Sequence, residues 1–283
     1  MSDKLRVSES TVLLTFLITH LQGWARNKIK QRLQAGCVEV NGEPVSRHDH
    51  ALKAGDNVDV RALAKNVHRK TPQLEILYAD RDLIAINKPA GLLSVAADKG
   101  GKPHALSILR NQLSRPKHPV KLWPVHRLDR DTSGVLLFAT SSEMREAVTA
   151  VWSEAEKTYL AVVEGCPSPN QGTIDQPLRL DPMEYRMHVG PHPESKRAVT
   201  HFKVQRIVKR RALLEVQLET GRQHQIRAHL AWLGHPVIGD SRYGTGGPRM
   251  GLHALRLIIT HPKIGKRLTF ETPAPNEFFA LLG

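Results

Sequence analysis

The chain has 283 residues, 40% of them hydrophobic, enough for one large core or two smaller ones. Lys and Arg number 41 against 27 Asp and Glu, and the net charge of +14 points to a polyanionic partner, nucleic acid before an anionic membrane surface. Two cysteines, Cys37 and Cys166, exclude a disulfide framework or a thiolate metal site, and no apolar run approaches the ~20 residues of a membrane span.

The first residues lack a signal-peptide layout, so a reducing, cytoplasmic location is expected. Leu14, Leu17, Ile18 and Leu21 follow helical spacing and predict a first helix, capped by Ser10 or Thr11 and ended by Gly23. A second helix is predicted from about Arg26 to Ala35, with Ile29 and Leu33 inward and Arg26, Lys28, Lys30 and Arg32 on its other positions. Gly36 stops it. Val38 to Val40 reads as a strand entering the Asn41-Gly42 turn, and Val58 to Val60 as a strand after the Gly55-Asp56 turn. This layout resembles the S-four-type RNA-binding domain, named after a ribosomal protein of the small subunit. Arg26, Asn27, Lys28, Ile29, Gly36, Val38, Val40-Asn41-Gly42 and Gly55-Asp56 carry the resemblance. Ala25 stands where that family often has Ser. The other reading is a generic small α/β unit with a solvated basic helix. Aromatic residues are only 5% of the chain, so phosphate contacts rather than stacked bases are expected to supply most of the RNA affinity.

Residues 64 to 73 lose periodicity and turn basic, and read as a linker between domains at 1–63 and 74–283. Beyond it, Leu74 to Tyr78 and Leu83 to Ile86 read as strands, with a turn at Lys88-Pro89-Ala90-Gly91. Val135 to Thr140 is a buried strand. Ser142 is expected to cap a helix through Trp152. Tyr159 to Val163 is a strand ending at Gly165. Val199 to Val204 and Leu213 to Leu218 form a hairpin across Lys209-Arg210-Arg211. Gly221 opens a helix that ends at Gly234, and Leu252 to Ile259 is a late strand. Helices and hairpin-like strands alternate irregularly, which argues α+β with a mixed, largely antiparallel sheet.

Three stretches carry chemistry. His126-Arg127-Leu128-Asp129-Arg130-Asp131-Thr132-Ser133-Gly134 crowds two carboxylates among arginines at a strand start. Taken alone it reads equally as a surface loop with an ion pair, or as a carboxylate held ionised by positive charge for an anionic substrate. In the second, Lys157-Thr158-Tyr159, the tyrosine offers a flat face for a base, though a tyrosine packing a sheet is the commoner role. The third is Gly221-Arg222-Gln223-His224-Gln225-Ile226-Arg227-Ala228-His229-Leu230. Arg227 borders the apolar face of the predicted helix and needs an anionic partner. A helix opening at Gly221 also offers backbone N–H groups to a phosphate. His224 and His229 are five apart, not the same-face spacing of a zinc pair, so no metal is expected.

Together these stretches resemble the RluA family of pseudouridine synthases. Asn87-Lys88-Pro89-Ala90-Gly91, Gly234-His235-Pro236 with Gly239-Asp240, and Leu252-His253-Ala254 with His261-Pro262 add to the match from about Leu74 to Pro275. The resemblance implies the pseudouridine synthase fold and an isomerase that detaches uracil from ribose, turns it and rejoins it through carbon 5, without cofactor or metal. Asp129 maps to the essential aspartate, with three roles open: attack on ribose, abstraction of a sugar proton, or addition to the base. Tyr159 maps to the tyrosine against the target base. Arg227 maps to the basic partner of the aspartate, and Arg127 to a helper in extruding the nucleotide. Asp131 is expected to point away. The implied partner is RNA, ribosomal RNA of the large subunit before transfer RNA, and the implied protein is a monomer without a membrane or an obligate protein partner. Two other readings are a non-catalytic RNA-binding assembly factor on the same fold and another glycosyl- or phosphoryl-transfer enzyme on RNA.

Overall fold

In a computed structural model the chain divides into two compact units, Met1–Lys70 and Thr71–Gly283. Residues 3–61, 73–96, 103–115 and 118–283 are described. The linker expected at 64 to 73 lies, except for its last residue, outside them.

In the first unit β1 (Asp3–Arg6), β3 (Val38–Val40), β4 (Glu43–Pro44) and β6 (Asn57–Val60) form one sheet in the order β1-β6-β3-β4. The short strands β2 (Thr11–Val12) and β5 (Ala51–Leu52) pair beside it. Two helices, α1 (Leu13–His20) and α2 (Arg26–Gln34), close the core through Leu13, Leu17, Ile29 and Leu33. Ile29 and Leu33 sit four apart, so a single apolar stripe anchors a helix otherwise rich in cations. Gly36, at φ +67°, terminates it, and the Cys37 N–H returns to the Arg32 carbonyl. Two local expectations fail. No side chain caps α1, whose N-cap is Val12, because the preceding residues are drawn into β2. Ile18 is 42% exposed, because Leu13 and Phe16 fill the inward face in its place.

The second unit is built on a ten-stranded sheet. Its strands are β7 (Glu75–Ala79), β8 (Leu83–Lys88), β9 (Trp123–Pro124), β10 (Ser133–Ala139), β11 (Glu156–Glu164), β12 (Gln171–Asp175), β15 (Val199–Val208), β16 (Arg211–Leu218), β17 (Leu252–Thr260) and β18 (Arg267–Glu271). The path runs β12-β15-β16-β11-β17-β10-β8-β7, with β18 on β17 and β9 on β10. Among the described strands only β10 and β17 pair in parallel. A separate hairpin joins β13 (Leu178–Asp181) and β14 (Arg186–Val189).

Strand β10 is buried throughout, which explains its unbroken apolar sequence. Leu136 and Phe138 face α3 (Ala105–Leu113), while Val135, Leu137 and Ala139 face α4 (Ser142–Ala150). The cap of α4 is Ser141, whose hydroxyl accepts from the Met144 N–H, and not the expected Ser142. The helix ends at Ala150, before Trp152, which opens a short 3-10 turn through Glu154. Helix α5 (Gln225–Trp232) covers β11 and β16 with Ile226 and Leu230, and a four-residue helix, α6 (Asn276–Phe279), closes the far end. No helix among the described residues is long and apolar enough to cross a membrane.

Candidate active site

One row of residues runs across four strands. Lys88 on β8 stands opposite Gly134 on β10, Gly134 opposite Ala254 on β17, and Ala254 opposite Tyr159 on β11. Gly134 has φ +114°, and an added Cβ would lie 2.2 Å from the Ala254 carbonyl oxygen. Only glycine allows β10 and β17 this close approach. The row brings the Asp129 loop, just before β10, to the side of Tyr159.

That loop is pinned from several sides. The Thr132 N–H closes a turn on the Asp129 carbonyl at 3.2 Å. Ser94 accepts from the Leu128 N–H and donates to the Leu128 carbonyl. Lys88, fully buried, gives its ammonium to the Pro89, Leu92 and Arg130 carbonyls at 3.0, 2.7 and 3.0 Å. Burial pulls the Lys88 pKa down to about 7, against the opposing charges of Asp131 and Asp129. Three carbonyl acceptors match the three protons of the charged form. Ser133 is bonded to His253 Nδ1. The other nitrogen of that buried ring faces the Thr272 carbonyl, so Nε2 donates there and Nδ1 accepts.

Arg227 projects from α5 and reaches Asp129 Oδ2 through Nη1 at 2.8 Å. Its Nε and Nη2 donate to the two oxygens of Asp240 at 2.6 and 2.9 Å. The Asp240 side chain is 0% exposed and also accepts from the Arg242 and Tyr243 N–H groups. Burial, which would raise the Asp240 carboxyl, is outweighed by the hydrogen bonds and charge of Arg227, and its pKa is lowered. Burial would likewise lower Arg227, but the bond to Asp240 and the charges of both aspartates raise it. One cation is thus clamped between two carboxylates, with Tyr243 under its guanidinium plane at 5.1 Å.

Asp129, 27% exposed, opens with Tyr159, Arg127, His126, Trp152 and His224 onto a cavity of about 750 Å³. That is room for a nucleotide. Burial and the Asp129 charge raise the Tyr159 hydroxyl pKa, so it is un-ionised at neutral pH. The His126 ring stacks on Trp152 at 5.1 Å and accepts the Leu137 N–H at Nε2. Burial, assisted by Lys157, pushes its pKa down to about 4.

The fold therefore gathers Asp129, Tyr159, Arg227 and Arg127 at one cavity. Arg127 is exposed there. Asp131, expected to point away, pairs with Arg130 and is also among the residues lining the cavity. Arg26, Lys28, Lys30 and Arg32 lie on α2 of the first unit, where Arg26 and Lys30 are exposed. Lys28 and Arg32 sit over the Trp24 ring at 4.2 and 4.6 Å, and Arg32 also donates to the Arg61 carbonyl. The phosphate site expected at Gly221 does not form as a helix start. Gln225 accepts from the Thr220 hydroxyl and the Arg222 N–H, making residues 220–224 a turn, and α5 starts at Gln225. His229 is buried against Thr200 and the Gln176 carbonyl, apart from His224.

Asp240 and Lys88 were not among the residues expected to work at the site. A signal for Asp240 existed: a buried arginine brings five donors, more than one carboxylate accepts, so further acceptors were needed, and Asp240 stands in the Gly239-Asp240 match. Lys88 carried none beyond its place in the Asn87-Lys88-Pro89 turn.

The profile of the family described as RNA pseudouridylate synthase matches residues 82–232. A Bacillus subtilis (strain 168) protein named an uncharacterized RNA pseudouridine synthase, YlyB, is 34% identical over 282 residues, covering 94% of this chain and 91% of its own. The ribosomal large subunit pseudouridine synthase D of Escherichia coli (strain K12) is 32% identical over 286 residues, covering 92% of this chain and 86% of that protein. Among solved structures, human RNA pseudouridylate synthase domain containing 1 aligns with a TM-score of 0.60 at 26% identity, over 72% of this chain and 85% of that one.

Proposed function

Because the chain belongs to the RNA pseudouridine synthase family and is an isomerase acting on RNA, we propose that it converts uridines of large-subunit ribosomal RNA, using Asp129 as the essential carboxylate. The observation that carries the assignment is the Asp129–Arg227–Asp240 clamp at the mouth of a nucleotide-sized cavity beside Tyr159. The reaction breaks the bond from ribose carbon 1′ to a ring nitrogen and makes one to carbon 5. The composition is unchanged, so no oxidant or reductant enters. A carboxylate beside the sugar is what glycosyl transfer needs. Asp129 acts by attack on ribose, abstraction of a sugar proton, or addition to the base.

Tyr159 offers its ring to the target base. Arg227 fixes the carboxylate through a charge-assisted bond. Arg127, exposed at the mouth, assists extrusion of the nucleotide from its stack. Residues 1–63 serve as an S-four-type RNA-binding domain through Arg26, Lys28, Lys30 and Arg32. The name of the Escherichia coli relative supports ribosomal RNA over transfer RNA.

The test is tritium release from RNA labelled at uracil carbon 5. Wild type releases tritium from large-subunit ribosomal RNA, and Asp129→Ala releases none while still binding it. Release by the variant at the wild-type rate refutes the role of Asp129. Release from transfer RNA alone refutes the substrate.

A further inference from the structure

His224 lies inside the motif that supplies Arg227, yet neither the family resemblance nor the reaction assigns it a role. Its backbone is in the left-handed region, φ 50° and ψ 19°, as the residue from which α5 starts. Among the described residues, the other five α-helices start from an extended residue, as N-caps usually do. The unusual backbone belongs to a ring bonded at one nitrogen and facing a carboxylate with the other. Nδ1 lies 3.1 Å from the Tyr243 hydroxyl, and the ring meets Tyr243 edge-on. Nε2 lies 3.8 Å from Asp129 Oδ1, and the side chain is only 11% exposed.

The proton inventory points to one tautomer. The Tyr243 oxygen already accepts the Met187 N–H at 2.7 Å. Among the described residues, the acceptor within reach of its own O–H is His224 Nδ1. Nδ1 therefore accepts, and the ring proton sits on Nε2, facing the carboxylate. Burial lowers the His224 pKa, although the Asp129 charge opposes it, so the ring is neutral. The two oxygens of Asp129 are then distinct: Arg227 occupies Oδ2, and Oδ1 faces His224.

We propose that His224 is a positioning residue for this reaction: its Nε2–H, set by Tyr243, is the donor that fixes Asp129 Oδ1 when RNA fills the cavity. The 3.8 Å gap is wider than a hydrogen bond, and catalytic contacts of this kind tighten on substrate binding. The inference rests on Asp129 being the essential carboxylate.

Two amide substitutions separate a donor role from a backbone role. A Gln side chain carries its N–H₂ to about the reach of Nε2, whereas Asn reaches only to Nδ1. Asn tolerates the left-handed backbone better than Gln does. A purely structural residue predicts that His224→Asn outperforms His224→Gln. The donor role predicts the reverse. Tritium release by His224→Asn is expected to fall about 100-fold in kcat, with KM for RNA held within about twofold. His224→Gln is expected to stay within about tenfold of wild type in kcat. Equal or better kcat in the Asn variant, or a change confined to KM, overturns the proposal. A second measurement needs no RNA: ¹⁵N NMR of the free wild-type protein should show His224 protonated at Nε2 and bare at Nδ1. The opposite tautomer overturns the proposal even if the enzyme is active. A wild type that releases no tritium from any RNA refutes the proposed function instead, and the tautomer then decides whether His224 is built as a donor.

Discussion

Asp240→Asn tests the clamp most directly. In the native site both Asp240 oxygens accept from Arg227, at 2.6 and 2.9 Å, with no exposure of the carboxylate. Asn keeps one oxygen and sets an N–H₂ group against the other donor. It also leaves a buried guanidinium with only the partly exposed Asp129 as counter-charge. Breaking a buried ion pair from one side costs about 3–5 kcal/mol. For a unit of this size, each kcal/mol lowers Tm by about 2–4 °C, so a fall of about 10 °C is expected in thermal unfolding by circular dichroism. Arg227 also loses the anchor that directs it at Asp129, and kcat should drop about 100-fold. Most of the stability loss is the cost of a stranded charge, so Asp240→Leu combined with Arg227→Met should be more stable than the two single losses add up to. Additive losses, or a Tm within about 2 °C of wild type for Asp240→Asn, would refute the account of the clamp.

Gly134→Ala should destabilise the second unit by at least about 3 kcal/mol, read as a loss of Tm or of soluble protein, because the new methyl meets the Ala254 backbone oxygen and φ is positive. His126 stays neutral in the fold down to about pH 4, against an ordinary 6.5. The unfolded chain takes up that proton first, so the stability His126 contributes is complete above about pH 6.5 and is lost as pH falls toward 4. Urea midpoints measured across that range should vary less in His126→Gln, which keeps an acceptor for the Leu137 N–H; an unchanged slope counts against this. Replacing Arg26 and Lys30 together by Gln should reduce the slope of log K against log salt for RNA binding by about 2 or less. An unchanged slope would remove α2 from the RNA-binding surface.

Much of the architecture is legible because β10 and its neighbours are long and one-sided in their chemistry. The unbroken Val135 to Ala139 run, too short for a helix, reads as a buried strand, and the alternation of Leu214 and Val216 marks β16. Boundaries are less legible where two residues compete for one job. Ser141 and Ser142 are both good caps, and the choice falls to the one three residues before Met144, whose N–H it caps. At α5 a glycine suggests the helix start, yet side-chain bonds from Thr220 and to Gln225 hold four further residues in a turn. Between Gly91 and His126 the sequence suggests no element, although Leu106 and Leu109 sit on the α3 face that packs β10. At the site, Arg227 is readable as a buried cation, and its pairing with Asp129 follows only from the family resemblance. Asp240 completes the set through contacts set by a turn, which periodicity does not register.

The parallel pairing of β10 with β17 also sets an order for synthesis on the ribosome. Asp129 emerges 125 residues before Ala254, the residue its strand lies against. At about 5–20 residues per second, this leaves about 6–25 s during which the Ser133–Gly134 end of β10 has one edge unpaired. Such an edge is the kind that invites association with other chains. The first motif is thus made well before the strand that seats it, and a chain cut before Leu252 would hold every part of Asp129's loop without that strand.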